Sequence, residues 1–250
     1  MARLGVALFI LASLALLVSA VLFSAPAAEP KKLLVVTVTK GFRHTSLPTA
    51  EAVLQKLGEE NGAFTVDYAR TDEDLAAKAT VKALAGYHGV VFASTTGDLP
   101  LPDRDGFLSW VEAGHAFVGI HAATDTFPGF PPYLAMVGAQ FDSHKEQAKV
   151  ELLVQDESHP ATRTLGKSVP VFDEIYLMKG FDRARVHMLL ALDRHPNTAA
   201  PGYYPLAWTR EYGKGRVFYT ALGHREDVLE APWFKAHLGG GILWALGVAQ

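Results

Sequence analysis

The sequence predicts an α/β fold on a parallel sheet, and three observations carry that prediction. Short apolar runs rich in β-branched residues recur through the first half of the 250-residue chain. Between them lie stretches of about ten residues with helical spacing, the alternation that builds βαβ units. Several of the runs open at their carboxyl ends into loops of small and polar residues, the edge at which open α/β sheets bind ligands.

Taken in order, Lys31 and Lys32 lead into LLVVTVTK, which reads as a first buried parallel strand. It ends in Gly41-Phe42-Arg43-His44-Thr45-Ser46. Ser46 is placed to cap a helix with Pro48 in its first turn; Ala50, Val53, Leu54 and Leu57 follow at helical spacing, and Gly58 weakens or ends it. Phe64 to Tyr68 is a second strand and Asp72 to Leu84 a second helix. Gly89 to Ala93 is a third strand, opening into Ser94-Thr95-Thr96-Gly97, and Asp103 to Ala113 a third helix closed by Gly114. The fourth strand is the run FVGIHAATDT, residues 117–126, and it places His121 at the strand's carboxyl end. Parallel strands align those ends, so His44, Thr95 and His121 are expected at one edge.

The second half is less regular. Residues 128–143 read as a loop with one helical turn near Tyr133 to Met136, and Ala148 to Val154 as a half-exposed strand. Val169 to Leu177 reads as an apolar run interrupted by Asp173 and Glu174; an acid in such a place must be paired. Val186 to Leu192 is a strand, and Tyr204 to Arg210 with Arg216 to Thr220 forms a hairpin about Gly213-Lys214-Gly215. His224 and Glu226 follow, then a closing helix from Pro232 to Leu246. No linker or repeat divides residues 28–250, which are expected to form one domain.

Residues 1–27 are set apart. Arg3 precedes an apolar stretch from Leu4 to Phe23, and Ala25-Pro26-Ala27 fits a small-residue cleavage site. This is the layout of an export signal, which implies a periplasmic or extracellular protein. A run of about 20 residues also suffices to span a bilayer uncleaved, which leaves an anchored form open. Without this segment the chain carries 22 basic and 26 acidic side chains. No basic run remains, which argues against nucleic acid or an anionic membrane as partner. There is no cysteine, so thiol nucleophiles, thiolate metal sites and disulfides are excluded.

Of the ten histidines, His88, His115, His187 and His237 fit structural roles, and His159 and His195 precede proline as turn formers. His44, His121, His144 and His224 instead sit at strand ends or in loops beside small or polar residues. No G-x-S-x-G elbow, phosphate-binding glycine loop or H-E-x-x-H helix occurs. No cofactor is expected; a divalent metal held by scattered histidines and a carboxylate stays open. Phe42, Phe130, Tyr133, Tyr203 and Tyr204 are aromatics available to stack on sugar rings.

The succession GFRHTS, FVGIHAATDT, FDSH, HP at 159–160, DEIY, PLAW and YGKGRVFYTALGH resembles the ThuA-like family, named for trehalose utilisation, from about Lys32 to Gly247. The resemblance implies a flavodoxin-like three-layer α/β/α sandwich similar to class I glutamine amidotransferases. His121 would then occupy the strand-end position of the amidotransferase cysteine, with His224 and Glu226 resembling its His and Glu partners. The missing cysteine removes the amidotransferase reaction. What the resemblance implies instead is a related pocket acting on a small-molecule carbohydrate, a disaccharide or keto-glycoside. In that reading His121 and His224 serve as acid and base, and Glu174 or Glu226 orients one of them. His44, Asp125, Thr95, His144 and Tyr176 bind the ligand. A non-catalytic carbohydrate-binding module and a metal-dependent hydrolase are the alternatives.

Overall fold

The computed structural model describes residues 29–249; the expected export signal lies outside the described residues. The first half follows the sequence closely. Strand β1, Lys31–Val36, is fully buried from Leu33 onward, as a strand covered by helices on both faces must be. Helix α1, Leu47–Asn61, starts after Ser46, whose hydroxyl makes no capping bond. It does not stop at Gly58 but continues to Asn61 and closes on Gly62 at φ 64°. Gly58 serves packing instead: a Cβ there would lie 2.6 Å from the Phe64 carbonyl oxygen, so only glycine lets the helix settle on the next strand.

That strand is β2, Phe64–Ala69. The single helix expected over residues 72–84 divides into α2, Asp72–Lys78, and α3, Val81–Leu84. Thr80 adopts extended geometry between them and its hydroxyl accepts from the Ala83 N–H, starting a new helix. Strand β3, Gly89–Ala93, helix α4, Arg104–Glu112, and strand β4, Ala116–Ile120, complete the regular half.

The loop expected before Ser143 carries more structure than one turn: helix α5, Pro131–Val137, and strand β5, Gln140–Ser143. Strand β6, Ala148–Val154, matches expectation. The run from 169 to 177 is not one strand. It breaks into β7, Ser168–Asp173, and β8, Leu177–Lys179, so Glu174 stands just past a strand end rather than inside an apolar strand. Strands β9, His187–Arg194, β10, Pro201–Tyr212, and β11, Gly215–Thr220, follow, then helices α6, Glu226–Glu230, and α7, Pro232–Ala245.

The main sheet has the order β2-β1-β3-β4-β11-β10-β9-β6-β7. β1 to β4 are parallel, and β11 returns parallel to β4, pairing Thr220 with Ile120. Strands β10, β9, β6 and β7 extend it antiparallel. Helices α1, α6 and α7 pack together as one layer, and α3, α4 and α5 as the other, giving a flavodoxin-like α/β/α arrangement. Its core includes Phe92, Phe107, Phe117 and Tyr133 in mutual ring contact. Strands β5 and β8 form a separate two-stranded ribbon. Among the described residues, no helix is long and apolar enough to cross a membrane.

Candidate functional site

The Thr220–Ile120 pairing is what creates the site. The residue after β4 and the turn after β11 leave the sheet side by side, so His121 and residues 221–224 meet across about a hundred positions of sequence. His121 is held in a left-handed backbone conformation, φ 49°. For a residue with a Cβ this is sparsely populated, and such strain gathers at functional positions. Its ring has no exposed surface. Nδ1 donates to the Ala221 carbonyl at 2.8 Å, because a carbonyl can only accept. In the neutral ring, Nε2 therefore carries the lone pair.

That Nε2 faces two groups. Nδ1 of His224 lies 3.3 Å away and Oε2 of Glu174 3.5 Å away, and Oε2 is also 3.5 Å from the same His224 nitrogen. The other oxygen of Glu174, Oε1, lies 3.3 Å from Nδ1 of His144. One carboxylate thus touches three imidazoles. His44, in the loop after β1, closes the group from the far side. Its ring stands edge-on to His121 and His224, with centroids 4.8 and 5.3 Å away. It is buried, and its Nδ1 has no hydrogen-bond partner.

The electrostatics follow from burial and crowding. Desolvation, then the neighbouring imidazoles of His121 and His224, push His44 down to about 3. Desolvation and His121 also lower His224. Burial alone would raise Glu174, but the proximity of His121, then His224 and His144, favours its charged form, outweighs burial and holds the carboxylate below its ordinary range. Four side chains, His44, His121, Glu174 and His224, each offer a ligand atom, all within 4.8 Å of one another. These are the residues that could hold a cation.

The backbone that carries this group is itself tied down. Gly223 takes φ 102°, a conformation that glycine adopts without strain, and turns the chain so that His224 points back at His121. Its N–H donates to Asp173 at 2.8 Å, and the Arg225 N–H donates to the same carboxylate at 3.3 Å. Asp173 is fully buried and desolvation raises it. In the sequence Asp173 stands out only as the neighbour of Glu174, half of an acid pair at the end of an apolar run. Tyr219 donates to the His121 carbonyl at 2.7 Å, fixing the strained residue from below.

The β5–β8 ribbon supplies the outer wall. It brings His144, just past β5, and Tyr176, just before β8, over His121. The buried Tyr176 ring lies 4.3 Å from the His121 ring and 4.3 Å from Phe141. His144 is the open member, with 42% of its side chain exposed. Phe42, 64% exposed, stands edge-on to His44 with centroids 4.8 Å apart.

Other expected site residues lie outside the cluster. Glu226 begins α6 and is exposed; its carboxylate accepts from the Thr45 hydroxyl at 2.8 Å, and Glu174, not Glu226, contacts His224. Thr95 is fully buried with its hydroxyl paired to that of Thr126 at 2.7 Å, so it presents nothing to a ligand here. Asp125 ends the 3-10 turn that starts at His121; it is half-buried and raised by desolvation, with no contact to the four. Tyr133 is buried and donates to the Ala123 carbonyl, which removes it as a stacking surface.

No curated protein sequence matches the chain. Its structure is similar to a ThuA-like protein from Parabacteroides merdae, with TM-score 0.74 and 23% identity, covering 88% of this chain and 92% of that one. A ThuA-like protein from Bacteroides uniformis is similar at TM-score 0.74 and 22% identity, covering 91% and 96%. A cold-adapted β-galactosidase from Rahnella sp. R3 shares the fold at TM-score 0.55 and 15% identity, over 89% of this chain but 32% of its own. The family model ThuA, described as trehalose utilisation, matches residues 32–245. With that match spanning nearly every described element, the chain belongs to the ThuA family.

Proposed function

We propose that this protein is an exported enzyme of sugar catabolism that processes a carbohydrate, a disaccharide or keto-glycoside, in the cleft above His121. The observation that carries the reading is the Glu174 carboxylate, shared among His121, His224 and His144 at 3.3–3.5 Å. Such sharing sets the orientation of the rings around it, as a reacting site requires. His144 faces solvent beside the Glu174 carboxylate and takes the acid/base role toward substrate. His121, with no exposed surface, acts from beneath through His224 and Glu174. The exposed ring of Phe42, edge-on to His44, suits stacking on a sugar face.

A non-catalytic carbohydrate-binding module is the competing reading, and the Phe42 platform serves it equally well. Turnover separates the two. Keto- and unmodified disaccharides are incubated with purified protein and products read by mass spectrometry. A mass or isomer change that His144→Ala abolishes supports the enzyme. Binding of sugars with no product from any of them leaves the module.

A further inference from the structure

We infer that His44, His121, His224 and Glu174 form the coordination sphere of a divalent first-row transition-metal ion, of which zinc is the reference case. The inference deepens the reading of this cleft as a reacting site and rests on that reading for the substrate only; the ion itself is argued from geometry.

Three facing atoms set the argument. His121 Nε2, His224 Nδ1 and Glu174 Oε2 form a triangle with sides of 3.3, 3.5 and 3.5 Å. Ligands about 2.0–2.1 Å from tetrahedral zinc are roughly 3.3–3.4 Å apart, so this triangle has the size of one tetrahedral face. An ion about 2.1 Å from all three sits roughly 0.7 Å off their plane. Direct hydrogen bonding accounts for these atoms poorly. The Nδ1 proton of His121 is committed to Ala221, so its Nε2 has only a lone pair to offer, and Glu174 is an acceptor alone. One proton, on His224 Nδ1, is left to serve both neighbours at 3.3 and 3.5 Å, which are long for good hydrogen bonds. A cation satisfies all of them at once.

Two further features point the same way. His44 Nδ1 is a buried, unpartnered ring nitrogen in the same group, an arrangement that costs free energy unless something fills it. The other nitrogen of His121 is bonded to a backbone carbonyl, the supporting contact that fixes ring tautomer and orientation in metal-ligating histidines. Three imidazoles with one carboxylate favour zinc, iron, cobalt or manganese over calcium or magnesium, which prefer all-oxygen spheres.

The assignment also divides the labour of the cleft. Glu174 Oε2 goes to the ion while Oε1 stays with His144 at 3.3 Å. His144 remains free to move protons, and the ion's open side binds and polarises a substrate oxygen.

The test uses the full chain, purified without added metal, with zinc and cobalt(II) as probes. About one equivalent of zinc per chain should survive gel filtration and be removed by a strong chelator. Cobalt(II) added to the stripped protein should produce visible absorption bands of a low-coordinate site. Glu174→Gln and His224→Ala should each weaken zinc binding by about 100-fold or more, with circular dichroism confirming that they fold. The exposed His187, paired with Asp156 away from the cleft, is the control, and His187→Ala should leave the stoichiometry unchanged. Folded wild-type protein that takes up neither ion would overturn the inference, as would zinc affinity unchanged in both variants. A bound ion with no sugar turned over overturns the catabolic reading instead and leaves the metal site standing.

Discussion

The imidazole of His121 donates from Nδ1 to the carbonyl of Ala221 at 2.8 Å, and this one bond decides which nitrogen faces the histidine and glutamate cluster. It directs the lone pair of Nε2 at His224 and Glu174. The two residues are neighbours only because β11 lies beside β4 with Thr220 opposite Ile120.

His121 and His224 should behave as one unit. Either change to alanine should lower turnover by about 10³-fold, and the double variant should lose little more, because groups that act together are strongly non-additive. His121→Ala also empties a buried position and should cost about 1–3 kcal/mol. The partly exposed His224 should cost less than about 1 kcal/mol on truncation. A double-mutant cycle on rate, with unfolding midpoints for each protein, is the measurement. Additive rate losses would mean two independent groups.

Asp173 should act as a positioning residue. It holds the Gly223 and Arg225 N–H groups, and Asp173→Ala would leave the buried Gly223 donor unpaired at a cost of about 1–3 kcal/mol, and the part-buried Arg225 donor at less. Asp173→Asn retains one acceptor oxygen and should recover part of the stability. Both should lower kcat more than they raise KM, since the turn that aims His224 loosens. Urea unfolding together with steady-state rates tests this; unchanged kcat in Asp173→Ala would remove the role.

Acid stability should depend on His237, which lies fully buried in α7 with Nδ1 donating to the Ala161 carbonyl. Desolvation lowers it from 6.5 to about 4. The unfolded chain therefore binds this proton first as pH falls, so the contribution of His237 to stability declines from about pH 6.5 and is lost below about pH 4. The full loss is about 3 kcal/mol. His237→Gln should flatten the profile in that window. Unfolding free energies from pH 8 to 4 check it, and an identical slope in the variant would place the acid sensitivity elsewhere.

Phe42→Ala should raise the KM for a sugar several-fold while leaving kcat and the unfolding midpoint nearly unchanged. Its ring is 64% exposed, so little core packing is lost, and an aromatic platform contributes mainly to ground-state binding. An unchanged KM would remove Phe42 from the binding surface.

Exported protein should begin at Ala28, since Ala25 and Ala27 fit the small-residue cleavage rule. Amino-terminal sequencing of secreted material decides it. A membrane-bound product starting at Met1 or Ala2 would mean an uncleaved anchor.

Much of the parallel half was legible in the sequence because local signals and tertiary demands agree there. Continuous apolar runs of strand length can be buried only between helices, and the helical spacing between them supplies those helices. That logic placed β1 to β4, and with them His44 and His121 at a common edge. Local pattern misled where packing overrode propensity. Gly58 looked like a helix end, yet the carbonyl of Phe64 requires its missing side chain. The run through Asp173 and Glu174 looked continuous, yet Asp173 turns inward to hold the Gly223 and Arg225 N–H groups and the strand stops.

The sequence by itself determined the inventory: an α/β chain without cysteine, with histidines at strand ends and an acid that had to be paired. It could not choose that acid's partners. The family resemblance offered Glu226 as well as Glu174 as companion of His224, but Glu226 is drawn off to the Thr45 hydroxyl. Glu174 takes its place from the far end of the sheet, carried in by β7 and the β5–β8 ribbon. Only the tertiary structure decides such a pairing, because a polar contact forms between whichever groups the sheet order brings within a few ångströms, and sheet order is settled by long-range packing rather than by any local run of residues.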